Sequence, residues 1–282
     1  MSQSVLDRHH VNVIGHGDRV LMLAHGLGCD QSVWEPVVSD LSRDHRVVLF
    51  DYVGSGASDT RAWHPDRYAT LDGHARDVLE ILDALQAPTV VFIGHSVSCS
   101  IGVLAAVACP ERFERLVLVA PNPCFVNEPG YVGGYEMADI IELLDLMERN
   151  VVGWANFFAP VAMKNLDRSE LVDDLRQRLC NGDPVILKHF TRVVFLSDVR
   201  DQLPRLQVPA LILQCDDDAV APKAVGDYMQ AHMPRASLKH MRATGHCPHM
   251  SQPGETVSMI RDYLSEERFE AGGSGAYPPA SL

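Results

Sequence analysis

The sequence predicts an α/β fold in which a mostly parallel central sheet is flanked by helices and interrupted by an all-helical insertion. Three observations carry that expectation. Short runs rich in Val, Ile and Leu end in turn formers, as strands buried on both faces do. Segments with apolar spacing of three and four, suited to amphipathic helices, lie between them. The alternation then stops between Asn122 and Leu203, where only helical patterns remain, and resumes afterwards.

Taken in order, "VLMLAHG" (Val20–Gly26), "RVVLFDY" (Arg46–Tyr52), "TVVFIGHS" (Thr89–Ser96) and "RLVLVAP" (Arg115–Pro121) read as buried strands. "DQSVWEPVVSDLS" and "LDGHARDVLEILDAL" read as the helices between them. Within the insertion the clearest helix is "EMADIIELLDLMER", whose Met137, Ile140, Ile141, Leu144 and Met147 are expected on one face. A strand, helix, strand, helix series follows in "PALILQCDDD", "KAVGDYMQAHM", "ASLKHMRATGH" and "GETVSMIRDYL". The expected division is a core of residues 1–121 and 204–267 and a helical lid of residues 122–203. A Gly-, Ser-, Ala- and Pro-rich tail, 268–282, is expected to be disordered. A chain of 282 residues is long enough to bury one such core.

Composition excludes several classes of function. With 24 basic against 37 acidic residues the net charge is −13, which argues against nucleic acid or an anionic membrane as the main partner. No run approaches the ~18 apolar residues of a membrane span. The first residues lack the basic and apolar regions of a secretory signal, so a cytoplasmic protein is expected. The seven cysteines (Cys29, Cys99, Cys109, Cys124, Cys180, Cys215 and Cys247) are scattered and lack C-x-x-C spacing. Buried reduced thiols are therefore expected, with no metal and no disulfide framework. "DYVGSGASD" (Asp51–Asp59) lacks the G-x-G-x-x-G spacing, so it reads as a structural loop and no cofactor is expected.

The chemistry concentrates at "VVFIGHSVSCSIG" (Val90–Gly102). A serine on a tight strand-to-helix turn points its oxygen into a cleft, and the next N–H can stabilise an oxyanion. Residues two before and two after that serine approach neighbouring backbone and must be small. Gly94 and Ser98 flank Ser96 in this way, Ser98 replacing the usual second glycine. The alternative is a plain βα turn with an incidental serine. Such a nucleophile needs a base and an orienting carboxylate, expected in the chain order Ser, acid, His. "LILQCDDDAVAP" supplies Asp216, Asp217 and Asp218, and "HMRATGHCPHMSQP" supplies His246 and His249, both at carboxyl ends of predicted strands. Spacing alone leaves the acid open among the three aspartates and His249 as a weaker base. His95 is expected at the wall of the site. In "AHGLGCD" (Ala24–Asp30) a Gly-rich turn can aim the Leu27 N–H at an oxyanion beside that of Val97.

These motifs, together with "YATLDGHARDV", "NPCFVNEPGYVGGYE" and "GWANFFAP", resemble the α/β-hydrolase superfamily, and within it the RsbQ-like group. That group contains bacterial stress-pathway hydrolases and the plant receptor-hydrolases for strigolactones and karrikins. The resemblance spans residues 4–265, and Ser in place of Gly at Ser98 occurs within the group. It implies Ser96 as nucleophile, His246 as base and Asp218, four residues before Pro222, as acid. It also implies a substrate pocket lined by Leu27, Phe125, Trp154, Phe158, Phe195 and Val220. Several members carry Phe where this chain has Leu27, so the family's ligands do not transfer directly.

The expected function is a serine hydrolase cleaving a small hydrophobic ester or lactone. The alternative is a ligand-responsive signalling module acting through a protein partner. Its sequence motive is the acidic series Glu136, Asp139, Glu142, Asp145 and Glu148, although such a row is usually just solvated. Dehalogenases and epoxide hydrolases of similar layout carry Asp where Ser96 stands. Cofactor-free haloperoxidases and C–C bond hydrolases keep the serine and stay open.

Overall fold

The computed structural model describes residues 4–266. The tail expected over 268–282 lies outside the described residues. Seven strands form one sheet, namely β1 (Asn12–Ile14), β2 (Val20–Ala24), β3 (Arg46–Leu49), β4 (Val90–His95), β5 (Phe113–Val119), β6 (Ala210–Asp217) and β7 (Ala236–Thr244). Their spatial order is β1-β3-β2-β4-β5-β6-β7. β1 runs antiparallel to β3, and every other neighbouring pair is parallel. β2 and β4 are buried at every residue, as covering both faces of a parallel sheet demands. The chain steps outward from β2 to β3 and then returns to β4 on the other side of β2. Such a switch point opens a crevice at the carboxyl ends of β2 and β4.

The helices are α1 (Val5–Arg8), α2 (Glu35–Leu41), α3 (Leu71–Ala84), α4 (Val97–Ala108), α5 (Met137–Arg149), α6 (Val151–Met163), α7 (Ser169–Asn181) and α8 (Pro184–Leu196). They continue with α9 (Lys223–His232), α10 (Pro248–Ser251) and α11 (Pro253–Ser265). α3 begins where Thr70 accepts a hydrogen bond from the Asp72 N–H, and it buries Leu71, Ala75, Val78, Ile81 and Leu82 at helical spacing. α4 lies tight on the sheet. A Cβ at Gly94 would stand 2.7 Å from the main-chain carbonyl of Ser98, and one at Gly102 would stand 2.5 Å from the Phe92 ring. None of the helices in the described residues is long and apolar enough to cross a membrane.

α5 to α8 form the all-helical segment between β5 and β6. The Asn150 side chain caps α6 through the Gly153 N–H at 2.9 Å, and Asp183 caps α8, with Pro184 in its first turn. The buried face of α5 differs from the expected one. Ile140, Leu143 and Met147 face inward, while Met137 and Ile141 are exposed. The inward stripe follows i, i+3, i+7, and the two outer residues fall on its rim. The acidic row serves this helix and its neighbours. Glu136 and Asp139 form a capping box, Asp145 meets Arg149 at 3.5 Å and Glu148 meets Lys188 at 3.5 Å.

One buried histidine sets a pH dependence. His74 lies among Tyr52, Tyr68 and Phe190, at ring distances of 5.3, 4.8 and 4.4 Å, with neither ring nitrogen hydrogen-bonded. Burial holds its pKa down to about 3. Below pH 6.5 the unfolded chain takes up a proton that the folded protein cannot, so stability falls as pH falls through that window. At about 1.4 kcal/mol per pH unit, this residue removes about 2 kcal/mol between pH 7 and 5. Urea denaturation of His74→Phe is expected to show a pH slope shallower by that amount than the parent protein.

Candidate active site

The chain enters the site from β4. Ser96 adopts φ 56°, ψ −121°, a region L-residues rarely occupy, between the last residue of β4 and the first of α4. Its N–H donates to the Val119 carbonyl at 2.9 Å, and its carbonyl accepts from the Cys99 N–H at 2.9 Å. The turn thus lifts Oγ off the sheet while both of its peptide groups stay bonded. Ser98 fills the place of a glycine without a buried polar debt. Its hydroxyl donates to the His25 carbonyl at 2.5 Å and accepts from the Tyr52 hydroxyl at 2.8 Å.

His246 and Asp218 arrive from the carboxyl ends of β7 and β6. His246 Nδ1 lies 2.8 Å from Asp218 Oδ2, and Nε2 lies 2.7 Å from Ser96 Oγ. Because a carboxylate only accepts, Nδ1 carries the proton, and the Nε2 lone pair faces the serine hydroxyl. The other oxygen of Asp218 accepts from the N–H groups of Val220 and Ala221 at 2.8 and 3.0 Å. The buried carboxylate is thus held by three donors. Gly245 precedes the histidine at φ 82°, where a Cβ would stand 2.2 Å from the Met163 carbonyl oxygen. The His246 N–H donates to the Ala162 carbonyl at 2.7 Å, which ties the base to the end of α6.

The alternatives left open by spacing separate clearly in space. Asp216 is exposed and paired with Lys223, and Asp217 is exposed and 2.5 Å from Lys164. His249 is fully buried against Trp34 at 4.5 Å between ring centroids, and burial holds its pKa down to about 3. Ser96, Asp218 and His246 are all nearly buried.

Ser96 and His246 open onto a cavity of about 30 Å³. Leu27, Phe125, Phe158, Phe195 and Val220 are among its lining residues. Trp154 does not reach it. That ring stacks on Phe158 at 5.1 Å and 9°, so it backs the wall. Cys29, His95, Ala162, Leu175, Leu179, Val194 and Cys247 complete the lining. Leu175 and Leu179 had a readable signal, since Leu171, Leu175 and Leu179 recur at i, i+4, i+8 on α7. Burial raises the pKa of the Cys29 thiol to about 12 and raises that of Cys247 too, so neither supplies a thiolate. A larger groove of about 410 Å³, lined by both polar and apolar residues, lies beyond the Gly28–Ser32 loop and shares only Cys29 with the inner cavity. No member of the Ser–His–Asp set lines that groove, whereas Ser96 and His246 line the small cavity.

Leu27 lines this cavity, and Val97 directly follows the lining residue Ser96. Val97 opens α4, so its N–H is among the first-turn donors that no helical carbonyl can accept. Leu27 sits in a turn closed by the Cys29 N–H on the Gly26 carbonyl at 3.3 Å. A serine hydroxyl hydrogen-bonded to a histidine, beside helix N-terminal donors in an apolar cavity, is an arrangement suited to acyl transfer. In the described residues no group of three His, Cys, Asp or Glu side chains is arranged to hold a metal ion.

Comparison with known proteins follows the same line. The Alpha/beta hydrolase family profile matches residues 20–259. The chain is 37% identical to a probable esterase of Oryza sativa subsp. japonica, over 93% of this chain and 98% of that protein. It is 35% identical to a strigolactone esterase of Arabidopsis thaliana, over 94% and 99% of the two chains. A hydrolase from Oleispira antarctica has a solved structure that superimposes with a TM-score of 0.91 at 40% identity, over 93% and 96% of the chains.

The Ser98 hydroxyl gives a prediction for stability. Ser98→Ala leaves the buried Tyr52 hydroxyl and His25 carbonyl without this partner, and is expected to cost about 1–3 kcal/mol in urea denaturation.

Proposed function

The chain belongs to the alpha/beta hydrolase family, and on that premise we propose that it is a serine esterase cleaving a small hydrophobic ester or lactone through an acyl-enzyme on Ser96. The observation that carries this reading is the unbroken hydrogen-bonded line from Ser96 Oγ through His246 to Asp218, at 2.7 and 2.8 Å. Ser96 Oγ attacks the carbonyl carbon while His246 Nε2 takes its proton. Asp218 keeps the imidazole in the required tautomer and stabilises the imidazolium. The N–H groups of Leu27 and Val97 hold the oxyanion, and His246 returns the proton to the leaving alcohol. Water then repeats the sequence on the acyl-enzyme with His246 again as base.

The cavity supports the substrate class. Its walls are aromatic and aliphatic side chains, so an apolar group gains most by entering. A volume of about 30 Å³ holds a water or two, against the hundreds of Å³ of a typical ligand pocket. Residues 122–203 therefore act as a lid, and α5 to α8 shift outward to admit anything larger than a short acyl group. The names of the rice and Arabidopsis relatives, a probable esterase and a strigolactone esterase, support ester chemistry and admit a lactone. The enclosed cavity also favours a second reading, in which a retained ligand alters the lid and a protein partner reads the change.

Steady-state hydrolysis of p-nitrophenyl esters tests the proposal. Turnover is expected to favour acetate over octanoate, and Ser96→Ala is expected to lower kcat about 1,000-fold or more. Turnover that survives this substitution contradicts the mechanism. Turnover that stops after one equivalent favours the retained-ligand reading.

A further inference from the structure

One ring beside the triad takes no part in the proton transfers described above, yet it touches three parts of the site. Building on the serine-hydrolase reading, we propose that His95 is a positioning residue whose Nε2–H holds the main-chain carbonyl of His246 and so sets the base at proton-transfer distance from Ser96. His95 Nε2 lies 2.7 Å from that carbonyl oxygen. A carbonyl only accepts, so Nε2 carries the proton and Nδ1 presents a bare lone pair. Nδ1 has no hydrogen-bond partner and faces the oxyanion turn, where a Cβ on Gly26 would stand 2.6 Å from it. The ring is therefore wedged between the turn that carries Leu27 and the turn that carries His246, on the residue next to the nucleophile.

Packing holds the ring there. His249 lies 4.4 Å behind it, and Trp34 lies 4.5 Å behind His249. Burial keeps the pKa of His95 well below the ordinary histidine value, with His249 and His246 as further causes, so the ring stays neutral. A neutral ring 5.1 Å from the His246 ring does not oppose the imidazolium that forms there during attack.

A buried histidine with one hydrogen bond is usually packing. Two features weigh against that here. Its one bond goes to the base itself, on the peptide group opposite the one that Ala162 holds at 2.7 Å. It also leaves a lone pair unpaired in the interior, a cost that a leucine would avoid.

The test compares His95→Phe, which keeps a stacked ring but loses the donor, with His95→Gln, which keeps a donor of similar reach. With p-nitrophenyl acetate, His95→Phe is expected to lower kcat about 10- to 100-fold while KM stays within about two-fold, and His95→Gln to recover most of the loss. Gly26→Ala, which pushes on Nδ1, is expected to lower kcat in the parent protein and to add little in a His95→Ala background. Nitrogen NMR is expected to find His95 protonated at Nε2. A parent-like kcat in His95→Phe, equal loss from Gly26→Ala in both backgrounds, or a proton on Nδ1 overturns the proposal. Parent turnover that survives Ser96→Ala overturns instead the reading beneath it.

Discussion

The backbone at Ser96 sits at φ 56°, ψ −121°, a conformation that costs a non-glycine residue about 1–3 kcal/mol. The surrounding structure over-determines it. β4 is a central strand paired on both sides and buried at every residue. The Ser96 N–H is bonded across to β5, and α4 packs so close that Gly94 and Gly102 have no room for a Cβ. The hydroxyl of Ser98 ties the first turn of α4 to the carbonyl of His25, just past β2, and to Tyr52. With the turn fixed, Oγ and the Val97 N–H are fixed too. The remaining groups have only to be brought to them from the ends of β6 and β7.

That delivery links the site to the helices above it. His246 is bonded through its N–H to the end of α6 and through its carbonyl to His95. Asn165 adds bonds to the Met163 and Thr244 carbonyls, and Lys164 pairs with Asp217 beside the acid turn. The end of α6 is thus tied on both sides of the turn that carries His246 and beside the Asp218 turn. The segment that encloses the cavity is also bonded to the turn that carries His246.

Much of this was legible in the sequence because the signals were local. Uninterrupted β-branched runs marked the parallel strands, and Gly94, Ser96 and Ser98 marked the turn. The acids and histidines follow two strands in the chain order Ser, acid, His, but that Asp218 and His246 are the ones that line up with Ser96 depends on side-chain contacts which spacing does not report. β1 was not legible, since three exposed residues on an edge carry no burial pattern. The inward face of α5 is not legible at Met137 and Ile141, because in sequence an apolar residue outside the buried stripe looks the same as one facing inward. Trp154 was placed at the pocket, but a flat ring can lie behind another, and only tertiary packing distinguishes lining from backing. The contacts of His95 depend on residues far apart in the chain, which no periodicity reports.

The central claim is that Ser96 forms a covalent acyl intermediate. Intact-protein mass spectrometry after rapid acid quench from p-nitrophenyl acetate, followed by peptide mapping, tests it most directly. A single acetyl group on Ser96, appearing before steady state and decaying as substrate is exhausted, is the predicted result. Release of p-nitrophenol with no adduct at Ser96, or with the acetyl group on another residue, contradicts the account.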